Sequence, residues 1–334
     1  MLTSSDLYHL PADAHATEFD ARALALFREQ FQQNELYGRW CRLLNKTPEN
    51  THTVEAIPFL PVQFFKSHDV KTGHWKEEAV FTSSTTTGGE PSMHPCADLN
   101  GYLTHTVQGF ERHYGPLSDW VVLALLPSYL ERTGSSLVAM AEHWVNQSGQ
   151  PESGFYLYDH AALLQQLQKL QAQGRPTLLL GVTFALLDFA ELLRSQPLRM
   201  PTLRIMETGG MKGRRRELIR DEVHALLRTS FPESPIDSEY GMTELMSQAY
   251  LLDSGTFAPP PWMRVYTRSI SDPLAPLQRN GQRGALNIID LANEKTVAFL
   301  ALSDQGRVFD NGQFEIYGRL DHSEIRGCNL MITL

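Results

Sequence analysis

The sequence predicts an α/β fold, with layered, mostly parallel sheets and a β-rich C-terminal subdomain. Three observations lead there. Residues 1–70 read as helices with a proline-marked link. Through residues 71–255, short apolar runs rich in β-branched side chains alternate with stretches of helical spacing, the pattern of a parallel sheet covered by helices. Over residues 256–334 helical spacing gives way to short strand-like runs separated by turns. A chain of 334 residues exceeds what one hydrophobic core usually organises, so these three regions are expected as subdomains.

Each element follows from local pattern. ARALALFREQFQQNELYGRWCRLL repeats Leu24, Leu26, Phe27 and Phe31 at helical spacing. IPFLPVQFF carries two prolines within four residues, which ends helix and favours extended chain. DWVVLALLP is a buried strand, and TGSSLVAMAEHWVNQSG a helix that opens on Thr, Gly and Ser. AALLQQLQKLQAQG places Leu163, Leu164, Leu167 and Leu170 on one face and stops at Gly174, a good helix C-terminus. RPTLLLGV and LRIMETGG are further strands, FALLDFAELLRS and RRRELIRDEVHALLRTS further helices. Past the prolines at 259–261, WMRVYTRSI, GALNIIDL, TVAFLAL and GQFEIYGR read as short strands of a small β subdomain or barrel.

Bulk properties exclude several functions. A net charge of −9 argues against a general nucleic-acid binder. The first residues carry acids and no apolar run, unlike a signal peptide. The longest apolar stretch, about residues 120–127, is too short to span a membrane. Cys41, Cys96 and Cys328 show neither metal-ligand spacing nor a disulfide framework, so a reducing cytoplasm is the expected compartment.

Three segments carry chemistry. FTSSTTTGGE, residues 81–90, holds two serines, four threonines and two glycines. Backbone N–H groups in such a turn can converge on an anion, and hydroxyls add donors. A phosphate and a solvated loop both fit that composition, and the spacing is not that of a Walker A or dinucleotide motif. DSEYGMTE, residues 237–244, places Tyr240, Gly241, Thr243 and Glu244 within five positions. They offer a stacking face, a hydroxyl donor and a hard oxygen ligand, which suit adenine, phosphate and Mg²⁺. A core tyrosine and a surface glutamate are the plain alternative. In ALSDQGRV, Asp304 in a turn could accept from ribose hydroxyls, with Arg319 of IYGRLDHSEIRGCNL reaching a phosphate or ribose oxygen. An ordinary turn aspartate fits equally.

In this order the segments resemble the acyl-adenylate-forming superfamily, which includes acyl-CoA ligases, firefly luciferase and adenylation domains. TSSTTTGGEPS is similar to its phosphate loop and YGMTE to its Tyr-Gly-x-Thr-Glu motif. GQRGALNIIDL with Asp304, and then GRLDHSEIRG, resemble the motifs that follow. Within the superfamily, PFLPVQFFK, LPSYLERTGSSL and RGCNL resemble the acyl-protein synthetases of the bacterial luminescence fatty-acid reductase system. The resemblance implies an adenylate-forming large-domain core and a fatty acid activated by ATP and Mg²⁺ to an acyl-adenylate. The acyl group would pass to Cys328, for delivery to a reductase or acyl-transferase protein. It also implies that Ser83, Thr85, Thr86, Gly88 and Gly89 hold phosphates. Tyr240, Gly241 and the Gly209–Gly210 backbone would flank adenine, Thr243 would meet the α-phosphate, Glu244 would hold Mg²⁺, and Asp304 would take the ribose with Arg319 nearby. Arg326 would activate the thiol. Two departures stand out: Ser92 and Met93 follow Pro91 where the loop usually closes on lysine, and the sequence stops six residues after Cys328. The mobile C-terminal domain with its catalytic lysine is therefore expected to be lacking. Two further outcomes remain open: transfer to CoA or a carrier-protein thiol with Cys328 inert, and a non-catalytic nucleotide-binding subunit. Cys41 and Cys96 read as structural, and a lone His94 as non-catalytic.

Overall fold

The computed structural model describes residues 15–83, 90–127, 134–209, 218–251, 255–270, 277 and 281–320. Helices α1 (His15–Gln33) and α2 (Glu35–Leu43) open the chain. Asn34 caps α2 by accepting from the Tyr37 N–H at 2.9 Å. The proline segment is extended only at β1 (Leu60–Pro61) and then winds into a 3₁₀ turn, Val62–Lys66. This departs from the expected extended run. The three-residue period of that turn sends both Val62 and Phe65 into the core.

A hairpin follows, β2 (Ala79–Thr82) and β3 (Met93–Cys96), paired antiparallel. Helix α3 (Leu99–Tyr114) has no strong sequence signature, because glycines and β-branched residues lower its propensity. It is fixed by Asp98, which accepts from the Gly101 N–H at 2.7 Å. The expected alternation then appears as β4 (Val121–Leu125), α4 (Ser136–Ser148), β5 (Gly154–Phe155), α5 (His160–Ala172), β6 (Thr177–Val182), α6 (Thr183–Leu192), β7 (Leu203–Thr208), α7 (Arg220–Ser230) and β8 (Ile236–Tyr240). Every residue of β4 and β6 is buried, as expected of parallel strands covered on both faces.

Six short strands complete the described chain: β9 (Ala249–Leu251), β10 (Phe257–Ala258), β11 (Met263–Arg268), β12 (Arg283–Asp290), β13 (Phe299–Val308) and β14 (Phe314–Arg319). They form no barrel among the described residues. They extend the parallel sheet with antiparallel partners into one open path, β11-β12-β13-β14-β10-β9-β8-β7-β6-β4-β5. Strand β13 pairs with β12 along one edge. Its other edge is shared, with β1 at Leu300–Ala301 and β14 at residues 304–308.

Two apolar cores result. One lies around β4, β6 and β7 and takes in Trp144, Phe184, Phe189 and Phe231. The other unites α1 and α2 with β11–β13, where the Tyr37 ring stacks on Phe299 at 5.9 Å. Buried Gln30 ties these distant parts together. It donates to the Asn293 carbonyl at 2.9 Å and accepts from the Ala298 N–H at 3.0 Å. No helix among the described residues is long and apolar enough to cross a membrane.

Gly306, beside a register shift between β13 and β14, has no room for a side chain: a Cβ there would lie 2.0 Å from the Glu315 carbonyl oxygen. Gly306→Ala should therefore destabilise the fold by about 1–3 kcal/mol, typical of overpacking, read as a lower urea midpoint.

Candidate functional site

The site forms beyond the C-terminal ends of parallel strands β7 and β8, where open α/β sheets usually bind ligands. Strand β8 ends on Tyr240, whose hydroxyl donates to Asp304 Oδ2 at 2.7 Å. Burial, with the neighbouring Asp304 charge, pushes the Tyr240 hydroxyl well above its ordinary range, so it stays a donor. Asp304 lies within β13, not in the turn the sequence suggests. Pairing with β12 on both sides of this residue and with β14 directly keeps the chain in the strand there, and Asp304 sits opposite Arg319 of β14. The Arg319 Nε is 3.5 Å from Asp304 Oδ1, and its side chain is 80% exposed. An ion pair so exposed adds little stability and leaves the guanidinium accessible to a ligand.

The hairpin brings its loop base to the same place. The Ser83 N–H donates to the Ser92 carbonyl at 3.0 Å, and the Ser92 N–H to Ser83 Oγ at 2.8 Å. The Ser92 hydroxyl lies near the Glu244 carboxylate and favours its charged form. Glu244 is buried, with its backbone carbonyl accepting from Asn293 Nδ2 at 3.0 Å. Burial holds its carboxyl above the usual range. The Ser92 hydroxyl, backbone donation and the charges of Arg319 and Lys66 oppose that shift.

His94, on β3, secures the neighbouring residue. Its Nδ1 is 2.7 Å from the Thr243 carbonyl and its Nε2 3.1 Å from Thr296 Oγ1. Burial lowers the imidazole pKa to about 4, so the neutral ring donates from Nδ1 and accepts at Nε2. Both nitrogens are thereby engaged, one with the Thr243 backbone and the other with the Thr296 hydroxyl.

Behind these residues lies a buried polar network that sequence reasoning missed. Thr183 Oγ1 lies 2.7 Å from Glu207 Oε2 and 2.5 Å from the Gly209 carbonyl, its one proton shared between these two acceptors. Gly209, immediately after β7, has φ +72°, which favours glycine. Ser238 Oγ donates to Glu207 Oε1 at 2.5 Å and lies 3.0 Å from His224 Nε2. Next along the pair of strands, Thr208 donates to Glu239. Acids in otherwise apolar strands, LRIMETGG and PIDSEY, were the available signal.

Thus Ser83, Gly209, Tyr240, Gly241, Thr243, Glu244, Asp304 and Arg319 are placed; hydrogen bonds link Ser83 to Ser92, near Glu244, and Tyr240 to Asp304, which pairs with Arg319. Thr85, Thr86, Gly88, Gly89, Gly210 and Cys328, with Arg326, lie outside the described residues. Cys41 and Cys96 are buried, with thiol pKa values raised to about 12 and about 11 by desolvation, so both are inert. No group of three or more His, Cys, Asp or Glu able to hold a metal occurs among the described residues. A single carboxylate such as Glu244 still fits Mg²⁺, which commonly binds through one or two carboxylates together with substrate phosphates.

Residues 1–94 match the family model described as acyl-protein synthetase, LuxE. That span includes PFLPVQFFK, whereas LPSYLERTGSSL and RGCNL lie beyond it. A comparison with curated protein sequences returned no match. Among solved structures, the chain is similar to the luciferase-like enzyme of the mealworm Zophobas morio, with 15% identity, 76% of this chain and 59% of that chain covered, and a TM-score of 0.51. Amide bond synthetase McbA from Marinactinospora thermotolerans gives 15% identity, 85% and 58% coverage and a TM-score of 0.51. A long-chain-fatty-acid-CoA ligase from Archaeoglobus fulgidus gives 13%, 72% and 51%, and 0.52. The chain thus spans between about half and three fifths of these proteins' length. It shares the fold of adenylate-forming enzymes.

Glu239 makes the site's stability pH-dependent. Burial first, then the Glu207 charge, raises its carboxyl pKa from 4.5 to about 7. The folded state therefore binds this proton more tightly than the unfolded chain. Its contribution is full below pH 4.5 and is lost as pH rises to about 7, by roughly 3 kcal/mol. Glu239→Gln removes that loss, so the variant should gain stability over the wild type in urea unfolding at pH 8 relative to pH 5.

Proposed function

We propose that this chain activates a fatty carboxylic acid with ATP to an acyl-adenylate and takes the acyl group onto Cys328, for delivery to a reductase or acyl-transferase protein. One observation carries the reading: the glycine-rich loop base, Thr243–Glu244 and the Tyr240–Asp304–Arg319 set converge on one end of the sheet. These are the groups that a nucleotide with its phosphates and ribose requires. The family match over residues 1–94 and the adenylate-forming fold support it.

A carboxylate is a poor electrophile until one oxygen becomes part of a good leaving group. Its oxygen attacks the α-phosphorus of ATP, the bond from that phosphorus to the β-phosphate oxygen breaks, and pyrophosphate leaves with the electron pair. The protein positions the reactants and neutralises charge. Tyr240, Gly241 and the Gly209–Gly210 turn flank adenine. Asp304, with two carboxylate oxygens, accepts from the ribose beside the Tyr240 hydroxyl, and Arg319 approaches the phosphate from its exposed position. Ser83, Thr85, Thr86, Gly88 and Gly89 cradle the outer phosphates, and Thr243 donates to the α-phosphate. Glu244 would hold Mg²⁺, which when bound neutralises phosphate charge. The Cys328 thiolate, favoured by Arg326, then attacks the acyl carbonyl carbon; the acyl–phosphate bond breaks and AMP leaves.

Glu244→Gln removes a metal ligand without loss of volume. Carboxylate-dependent ATP–pyrophosphate exchange should disappear while the urea midpoint is kept, and normal exchange at limiting Mg²⁺ would reject the assignment.

The thiol is tested separately. Cys328→Ala should retain exchange yet form no hydroxylamine-labile acyl adduct on the protein, as read by intact mass. An adduct that persists in this variant would place the acyl group elsewhere. Exchange in the wild type with no adduct for any acid tried would favour CoA or a carrier thiol as acceptor. Absence of exchange across a panel of acids would leave a nucleotide-binding subunit.

A further inference from the structure

The described site is rich in acids and poor in cations. Glu244 and Asp304 face it, and among the cations named above only Arg319 belongs to its own strands. The loop itself, residues 81–94, contains a glutamate and neither lysine nor arginine. Lys212 and Arg214, Arg215 and Arg216, which follow Gly209–Gly210, lie outside the described residues. Among the described residues a triphosphate brought to this place meets carboxylates, and a departing pyrophosphate carries still more localised charge, so a nearby cation would stabilise it.

The N-terminal segment delivers one. Strand β1 runs parallel to β13 at Leu60–Pro61, which starts the following 3₁₀ turn beside the strand that carries Asp304. Gln63 Nε2 donates to Ser303 Oγ at 2.6 Å, one residue before Asp304. The Ser303 carbonyl accepts from the Leu320 N–H at 2.7 Å, one residue after Arg319. Phe65 is buried, and its ring meets His94 edge-on at 5.2 Å, the histidine that holds the Thr243 carbonyl. The turn is therefore fastened on one side to the Asp304–Arg319 pair and on the other to Thr243. Its last residue, Lys66, is exposed and has no ion-pair partner among the described residues. It follows Gln63 by three residues, so the 3₁₀ period puts it on the face of the turn that Gln63 fastens to Ser303.

We propose that Lys66 is a phosphate-binding catalytic residue, held by the 3₁₀ turn at the Thr243–Glu244 side of the site, where its ammonium group contacts the triphosphate and stabilises the departing pyrophosphate. This rests on the adenylation reading above. The lysine keeps its protons throughout: the carboxylate–phosphorus bond forms, the bond to the pyrophosphate oxygen breaks, and the ammonium group offsets the charge that appears on the leaving group. The turn is built for that task, since Phe65 and Gln63 are each anchored while the lysine between the site and solvent is left with its charge available.

Lys66→Ala and Lys66→Arg in the full chain test it by three readouts. In Lys66→Ala, carboxylate-dependent exchange should fall on the order of 100-fold, the scale seen when one charge-stabilising donor is removed, with substantial recovery in Lys66→Arg. Acylation of the protein from supplied acyl-adenylate, which releases no pyrophosphate, should keep its wild-type rate; a merely structural defect would slow both. MgATP should bind about 10-fold more weakly to Lys66→Ala, with adenosine binding unchanged. Exchange within about 2-fold of wild type, or equal loss of adenosine and MgATP binding, overturns the proposal and leaves the adenylation reading standing. If the wild type shows no exchange with any acid, the adenylation reading falls, and selective loss of MgATP binding alone decides whether Lys66 meets phosphate.

Discussion

The buried carboxylate of Asp290 fastens the segment after Glu244 to the antiparallel half of the sheet. It accepts from the Met246 N–H at 2.9 Å, the Ser247 hydroxyl at 2.6 Å and the Ala292 N–H at 3.1 Å. Desolvation raises its pKa to about 6, and these donors oppose that shift. A buried charge without them would be costly; with them it clamps residues 246–247 against the end of β12. Trp262 completes the clamp by donating its indole N–H to Ser247 Oγ at 2.9 Å. In the turn that follows β12, Asn293 donates to the Glu244 carbonyl. The position of Glu244 is thus decided by side chains from β12 and its turn as much as by β8.

The same demand for donors governs the parallel half. Glu207 and Glu239 stand on adjacent strands; Glu207 accepts from Thr183 and Ser238, and Glu239 from Thr208. In low dielectric such hydrogen bonds are strengthened. They hold Gly209 and the start of the YGMTE turn in fixed relation before any ligand arrives. Gly241 has a local reason to be glycine as well, since a Cβ there would lie 2.4 Å from Glu239 Oε1. Positioning of this kind matters where catalysis consists mainly of orienting charged groups.

The N-terminal helices belong to the same construction. Their aromatic residues fill the core under β11–β13, and Gln30 meets Ala298 across 268 residues of sequence. Because β1 occupies the part of the β13 edge that β14 leaves open, the 3₁₀ turn after it is directed towards Ser303 and His94. A segment that reads in isolation as a proline-rich link becomes part of the wall of the site.

Local pattern determined much of this protein. Apolar periodicity is a property of neighbouring residues, so helices α1, α4, α5 and α6 and strands β4, β6 and β7 were legible in it. Glycine and hydroxyl composition marked the loop, and the spacing of Tyr240, Thr243 and Glu244 marked the turn after β8. Only the tertiary structure decided that Asp304 sits in a doubly paired strand, that the C-terminal strands continue the main sheet instead of closing a barrel, and that His94 braces Thr243 from 149 residues away. It likewise brought Ser92 to Ser83, Asp290 to Ser247, Glu239 to Thr208, and the turn that carries Lys66 to Ser303 and His94. Each of these depends on a hydrogen bond or a ring contact between residues far apart in the chain.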